Sequence, residues 1–184
     1  MRLRRELWCA GGILLVGFAA GQLAGARTVT TPHVAEESPA IGQIPRPPRL
    51  FLEIAGRNTT VFALLLTGLV TAGLSAALVL ALNGIAVGLL VGSALSAGRD
   101  AFVLATLLVP HGLIEMPAFV VAGAVGLRGW RVARRALQTG DPELPPELAT
   151  LGGPILFGFI ALLLAAVIES TVTRGFLLDA LGSG

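Results

Sequence analysis

Three titratable residues lie within long apolar segments of the sequence: His111, Glu115 and Glu169. His111 and Glu115 are four residues apart, so they share one face if their segment is helical. An imidazole and two carboxylates can form a hydrogen-bonded network, relay protons or bind a divalent metal ion. Because charge is costly in an apolar environment, we expect all three side chains to face the protein interior and to interact with one another.

These three residues leave three interpretations open. The first is a structural network in which the histidine hydrogen-bonds a glutamate and fixes how helices pack. The second is a polar site that relays protons or ions or binds a substrate. The third is a metal site, but the His-Glu-x-x-His pattern is missing, and the other histidine, His33, lies in a proline-rich stretch. We therefore predict no catalytic residue, no metal and no cofactor.

The composition indicates where this chemistry would take place. Hydrophobic residues make up 54% of the 184-residue chain and charged residues 13%, against about 25% charged residues in a soluble domain. These values predict a polytopic membrane protein and exclude a soluble or largely disordered chain. The thirteen basic residues are all arginine and are too dispersed for a nucleic-acid-binding face. A single cysteine, Cys9, excludes an intramolecular disulfide and a thiolate metal cluster.

The apolar segments predict an all-α transmembrane bundle of about five spans. Residues 1–26 would form an N-terminal transmembrane helix, a possible signal anchor, although Ala24-Gly25-Ala26 also suits signal-peptide cleavage. Residues 27–57 would form a proline-rich extracytoplasmic linker. The remaining parts are a membrane domain over 58–173, which includes a loop over 128–150, and a tail over 174–184. The four spans of this domain are predicted at about 61–82, 84–98, 101–127 and 151–173.

Polar and small residues mark where these spans should begin, end or bend. Asn58 and Asn83 can each hydrogen-bond free backbone groups at a helix end. Gly84 suits the left-handed end of a helix, which leaves a short third span over 84–98. Pro110 lacks a backbone donor, so we expect a broken or sharply kinked helix there, with a half-helix starting at this proline as the alternative.

Small residues also recur at every fourth position in two spans, which lets another helix approach closely. The first stripe is Gly17, Gly21 and Gly25, and the second is Gly84, Gly88, Gly92 and Ser96. Both stripes suit packing within one chain and homo-oligomerisation equally well, so the sequence leaves the oligomeric state open.

The arginines predict the topology. The run from Arg128 to Arg135 is the strongest positive cluster beside an apolar segment, so it should be cytoplasmic. Five spans then place the N terminus, which carries Arg2, Arg4 and Arg5, on the same side. We therefore predict a multi-pass cell-membrane protein whose N terminus and 128–150 loop are cytoplasmic.

The segment around His111 resembles the signature of the stage II sporulation protein M family. Members typically show Pro-His-Gly, then Glu-x-Pro-Ala, then a small-residue run that ends in Gly-Leu-Arg or similar. The matching residues here are Pro110-His111-Gly112, Glu115-Met116-Pro117-Ala118 and Gly126-Leu127-Arg128. The family's other positions are matched by Asn58, Asn83-Gly84 with Gly88, and Ala165–Glu169. The resemblance covers about 58–173.

The resemblance implies an integral membrane protein whose sporulation member is a scaffold for two cell-wall-degrading partners. We accordingly expect a non-enzymatic scaffold or assembly factor in a bacterial or archaeal cell. Its expected partners are the lipid bilayer and membrane or envelope proteins. The first alternative is a transporter or channel-like protein with its polar site at His111, Glu115 and Glu169. The second is an intramembrane metal-dependent enzyme.

Overall fold

The computed structural model describes residues 3–27, 47–140 and 146–182. In chain order, the helices are α1 (Arg4–Arg27), α2 (Pro47–Leu66), α3 (Leu74–Ser96), α4 (Ala101–Leu127), α5 (Gly129–Thr139) and α6 (Gly152–Gly182). Short 3-10 helices at Thr67–Leu69 and Pro146–Leu151 precede α3 and α6. Five helical segments are long and apolar enough to cross a membrane: Arg4–Arg27, Pro48–Leu69, Leu74–Ser96, Gly112–Thr139 and Ala149–Thr171. The prediction of an all-α bundle of five spans is confirmed.

Large apolar side chains cover the outside of this bundle. Val70, Leu74 and Phe102 are each at least 74% exposed, and the other long helices also present exposed leucine, valine or phenylalanine. A soluble monomer rarely exposes contiguous apolar surface on this scale, whereas lipid accommodates it. The buried centre is formed by other apolar residues, among which Phe119 and Leu65 are the largest that are fully enclosed.

The closest helix packing joins α1 to α3. A Cβ added at Gly17 would lie 2.5 Å from the carbonyl oxygen of Ala81, and one added at Gly25 would lie 2.5 Å from that of Leu89. These contacts advance in the same direction along both helices, so α1 and α3 run parallel. The glycines of α3 meet the α1 backbone in the same way: Gly84, Gly88 and Gly92. The two glycine stripes therefore pack against each other within one chain.

The turn between α2 and α3 lies within the segment predicted as a single span over 61–82. The turn covers residues 67–73, and α3 then continues for 23 residues through the predicted boundary at Asn83-Gly84. The predicted spans 61–82 and 84–98 are therefore wrong, and the third span is of full length. Apolar composition alone marked no interruption in this segment because the turn itself is apolar.

The glycines of this turn pack against the junction between α4 and α5. A Cβ added at Gly68 would lie 2.8 Å from the backbone of Gly126, and one added at Gly129 would collide with the carbonyl oxygen of Gly68. Gly73 adopts φ +86°, a left-handed conformation that glycine adopts without strain. The turn also carries its own polar groups: the Thr67 hydroxyl donates to the Leu64 carbonyl oxygen, and the Thr71 hydroxyl donates to the Thr67 carbonyl oxygen.

The boundaries of the predicted linker and loop segments also need correction. α2 begins at Pro47, so the last part of the linker predicted over 27–57 is helical; proline suits the first helical positions. Residues 28–46 lie outside the described residues, as do 141–145 of the predicted loop. The rest of that loop contains α5 and a 3-10 helix, and α6 continues through most of the predicted tail to Gly182.

The helix α4 is continuous through Pro110. It starts after Asp100, whose Oδ1 accepts a hydrogen bond from the Phe102 backbone N–H at 2.7 Å, and it continues to Leu127. The predicted break at Pro110 is therefore wrong, and the alternative of a sharp kink there stays a prediction. Membrane helices tolerate an internal proline because local adjustments and neighbouring groups satisfy the carbonyl oxygen that loses its donor. An interruption of the helix in lipid would instead leave several backbone groups without hydrogen bonds.

The two ends of the bundle can be assigned relative to each other. Glu6 at the start of α1 pairs with Arg131 at the start of α5, so these segments lie at the same end. We call this the α5 end, and the opposite one the α1 C-terminal end. This arrangement agrees with five spans that place the N terminus beside the 128–140 segment. Assignment of the α5 end to the cytoplasm stays a prediction from the arginine distribution.

Candidate functional site

A cavity of about 310 Å³ lies between α2, α3, α4 and α6. Its polar lining consists of Arg57, Asn58, Asn83, Glu115 and Glu169. Its apolar lining consists of Ile54, Val61, Ala86, Val87, Leu90, Met116 and Phe119. This volume lies at the lower end of the range of small-ligand sites, about 300–1,000 Å³. The structure therefore brings Glu115 and Glu169 to one polar cavity, together with both asparagines singled out in the sequence.

The cavity lies deep in the bundle. Asn58 precedes the last residue of α2 by eight positions, and Asn83 follows the first residue of α3 by nine. At 1.5 Å per residue, both lie roughly 12–14 Å from the α5 end of their helices. Glu169 follows the start of α6 by seventeen residues, which places it roughly 25 Å from that end. The lining therefore extends from the middle of the bundle toward the α1 C-terminal end.

The two asparagines occupy helix interiors, so the prediction that they satisfy helix ends is wrong. Asn83 Nδ2 donates to the carbonyl oxygen of Val79 at 2.8 Å, which holds this carboxamide against its own helix. Asn58 is only 6% exposed. Its Nδ2 has no hydrogen-bond partner within the part of the chain that the structure describes. Asn58 is also one of the residues that line the cavity.

The two glutamates line the cavity from two helices, α4 and α6. Glu115 lies near the midpoint of α4, one turn before the buried ring of Phe119. Glu169 lies on α6, where the small residues Ala165, Ala166 and Ser170 are buried. These small side chains let α6 pack closely on its neighbours, while both glutamates remain partly exposed. Both residues line the cavity.

Arg57 is a cavity residue that sequence reasoning missed. It precedes Asn58 on α2, and its side chain is exposed. It lies within the segment predicted as an extracytoplasmic linker, so the sequence analysis does not include it among the site residues. Its proximity to Asn58 was the available signal, since adjacent residues on a helix lie at one membrane depth. With two carboxylates and one guanidinium, the lining has a formal charge of −1.

His111 lies one helical turn before Glu115 on α4. Its side chain is outside the described residues, so its predicted contact with the glutamates stays a prediction. Among the neighbouring motif residues, Gly112 has open space where a Cβ would lie, and Pro117 is exposed. The described residues include no group of three or more His, Cys, Asp or Glu that could hold a metal ion.

A second polar cluster lies at the α5 end of the bundle. Glu6 Oε1 is 2.7 Å from Arg131 Nη2 and 3.9 Å from Arg128 Nε. The Glu6 and Arg128 side chains are 7% and 4% exposed, whereas Arg131 is 52% exposed. Arg128 thus has a buried position where α4 passes into α5. Glu6 was missed because it lies among the N-terminal arginines, which were interpreted only as a membrane flank.

The comparisons with known proteins agree with this architecture. The family profile described as Stage II sporulation protein M matches residues 10–174. The chain belongs to the stage II sporulation protein M family. The match includes most of α1, so the family domain is longer than the predicted 58–173 and the first helix is part of it. This extension fits the close packing of α1 on α3.

The chain is also similar to an uncharacterized protein. An uncharacterized protein of Methanocaldococcus jannaschii is 30% identical over 125 residues, which are 67% of this chain and 70% of that protein. No solved structure matches the chain. The family assignment therefore identifies a multi-span membrane protein, and its molecular role has to be argued from the residues.

Proposed function

We propose that this protein is a non-enzymatic scaffold or assembly factor for membrane or cell-envelope partners. The observation that carries the proposal is the fixed attachment of α5 to one end of the bundle. Glu6 pairs with Arg131, and Gly129 packs on the carbonyl oxygen of Gly68. A scaffold needs a docking element whose position is set by the fold, and α5 meets that requirement.

The outer surface of α5 suits such a role. It presents arginine, tryptophan and leucine side chains to its surroundings: Trp130, Arg131, Arg134, Arg135 and Leu137. A basic amphipathic helix of this kind lies in the membrane interface, where it can contact lipid headgroups and the juxtamembrane parts of other proteins. The resemblance to a family whose sporulation member holds two partners supports the same conclusion.

Charge reversal on α5 tests the scaffold proposal. Full-length protein carrying Arg134→Glu and Arg135→Glu is purified from membranes of its source cell, beside wild type and a matched control. The control carries Arg27→Glu and Arg99→Glu, two exposed arginines at the α1 C-terminal end. We expect proteins that co-purify with wild type and control to be lost from the α5 variant. An identical set of co-purifying proteins in all three samples would contradict the proposal.

The cavity favours a second candidate function, a transporter or channel-like protein. Titratable residues in membrane spans commonly mark ion or substrate pathways, and Glu115 and Glu169 line one cavity with a buried amide. Flux of a small solute through proteoliposomes tests this candidate. Glu115→Gln should abolish the flux without loss of helix content, whereas Glu53→Gln, an exposed glutamate on α2, should leave it unchanged.

A further inference from the structure

We propose that the cavity between α2, α3, α4 and α6 is the inner end of a water-filled vestibule. The vestibule runs along Arg49, Glu53 and Arg57 of α2, opens at the α1 C-terminal end of the bundle and admits small hydrophilic solutes from that side. The inference deepens the second candidate function, because it rests on the same cavity and names the side from which that cavity is reached. It does not require that a solute cross the membrane.

The packing of α1 on α3 sets the membrane depth of the cavity. Residues 7–26 of α1 form a stretch of twenty uncharged residues, which spans roughly 30 Å and so matches the hydrocarbon core of a bilayer. A Cβ added at Gly84 would lie 2.8 Å from the backbone nitrogen of Phe18, near the middle of this stretch. Asn83 precedes Gly84 and lines the cavity. The inner end of the cavity therefore lies near the middle of the bilayer.

Arg57 lies at nearly the same depth and is exposed. It precedes the last residue of α2 by nine positions, and Asn83 follows the first residue of α3 by nine. Both are therefore roughly 14 Å from the α5 end of their helices. Charge in the hydrocarbon is costly, so arginines at membrane depth face the bundle interior or a water-filled cavity. Arg57 lines the cavity and is exposed at the same time, so water beside its guanidinium group accounts for its position.

Two further charges continue from Arg57 toward the α1 C-terminal end. Arg49 and Glu53 precede it at intervals of four residues, so the three side chains share one face of α2. The Arg49 and Glu53 side chains are 79% and 54% exposed, and Arg49 Nε lies 3.0 Å from Glu53 Oε1. They lie roughly 12 and 6 Å nearer to the α1 C-terminal end than Arg57 does. This face of α2 is therefore polar from the middle of the bilayer to one end of the bundle.

Glu169 extends the cavity lining in the same direction. It lies on α6 roughly 25 Å from the α5 end, which is roughly 12 Å beyond Asn83. It is partly exposed and lines the cavity. The cavity is thus elongated along the bundle axis, from the middle of the bilayer toward the α1 C-terminal end.

The buried core closes the α5 side of the cavity. On each of the four helices that line the cavity, the core residues lie nearer to the α5 end than the polar lining residue does. They are Phe62 and Leu65 on α2, Leu80 on α3, Ala118, Phe119, Ala122 and Ala124 on α4, and Leu162 on α6. Each is at most 3% exposed. Because Phe119 also lines the cavity, the core borders it directly, and water that enters from the opposite end stops there.

Thiol reactivity in membranes tests the proposal. Cys9→Ser removes the single cysteine, and Ala86→Cys or Met116→Cys then places a thiol in the cavity lining without removing a charge. Leu82→Cys and Leu113→Cys are the matched controls on the same two helices, at exposed leucines that do not line the cavity. A negatively charged, membrane-impermeant methanethiosulfonate reacts with the thiolate, which is disfavoured in apolar surroundings. We expect both cavity thiols to react at least tenfold faster than their controls.

The side of the opening is measured with the same thiols in right-side-out and inside-out vesicles. Arg27→Cys and Arg134→Cys are the reference positions, since both arginines are exposed and lie at opposite ends of the bundle. Ala86→Cys and Met116→Cys should react only in the vesicles in which the reagent reaches Arg27→Cys. Val87→Cys, which also lines the cavity, replaces either variant if that variant does not fold.

Two results would overturn the proposal. One is equal reactivity of the cavity thiols and their controls, which is expected if Arg57 instead extends to the lipid headgroups and the cavity contains no water. The other is reaction from the side of Arg134→Cys, which would place the opening at the α5 end. Reactive cavity thiols without flux in proteoliposomes would remove the transporter candidate and leave the vestibule intact. Flux through a protein whose cavity thiols do not react would do the reverse.

Discussion

Replacement of Gly88 by alanine should separate α1 from α3, although it adds only one methyl group. An added Cβ would lie 2.7 Å from the Gln22 backbone nitrogen and closer still to the carbonyl oxygen of Phe18. Both are backbone atoms of a helix, so they cannot rotate away as a flexible side chain would. Overpacking of this kind costs about 1–3 kcal/mol. Alanine recovers up to about 1 kcal/mol because it is a better helix former than glycine.

The matched control is Gly12→Ala on α1, where an added Cβ meets nothing within 4 Å. It gains the same helix propensity without the collision, so Gly88→Ala should be about 1–3 kcal/mol less stable than the control. Unfolding by sodium dodecyl sulfate in mixed micelles, followed by circular dichroism, measures both free energies of unfolding. Agreement of the two variants within about 0.5 kcal/mol would refute the close packing of α1 on α3.

Three further substitutions test other contacts by the same unfolding measurement. Glu6→Gln should lower the free energy of unfolding by about 1–3 kcal/mol, a loss between those of buried and exposed ion pairs. Arg49→Ala breaks an exposed ion pair, so it should change the free energy of unfolding by under about 1 kcal/mol. Phe62→Ala removes a ring that is 3% exposed and packs on another aromatic ring, so it should lower the free energy of unfolding by about 3–5 kcal/mol. An equal decrease in Phe102→Ala, where the ring is 75% exposed, would argue against this core. In the absence of ligand, Asn58→Leu should be as stable as wild type or about 1 kcal/mol more stable, because the substitution removes a buried amide that has no acceptor among the described residues. A loss of stability above about 2 kcal/mol would indicate that the amide has a structural partner.

The sequence predicts the number of spans much better than their ends. Apolar length is a direct physical requirement for crossing a bilayer, so the five-span bundle could be predicted. The α2–α3 turn could not, because it contains neither a charged residue nor a proline that would interrupt the apolar segment. The glycine stripes predicted close helix contacts, but their spacing does not identify the partner helix. Only the fold shows that Gly17 and Gly84 belong to the same interface.

The candidate site was predictable in part for a related reason. Glu115 and Glu169 stand out because titratable residues are rare and costly in membrane spans. Asn58 was predicted at a helix end because α2 starts earlier than predicted, and Asn83 because the α2–α3 turn was not predicted. Arg57 fell within the predicted linker and Glu6 was not singled out, since a charge near the end of an apolar segment normally stays in the interface. The burial of Glu6 and the contact of Arg57 with the cavity depend on how each helix is rotated and packed. Hydropathy gives no information on this.

The most direct test of the polar cavity is a proximity measurement between α4 and α6. In a Cys9→Ser background, the double variant Glu115→Cys/Glu169→Cys is treated in native membranes with a short bifunctional thiol reagent. Ala26→Cys/Ser96→Cys is the positive control, since the Ser96 hydroxyl donates to the Ala26 carbonyl oxygen at 3.3 Å. Glu115→Cys/Arg134→Cys is the negative control, with thiols at different depths. The shared cavity predicts intramolecular cross-linking of Glu115→Cys/Glu169→Cys comparable to the positive control. Cross-linking no greater than in the negative control would contradict the shared cavity.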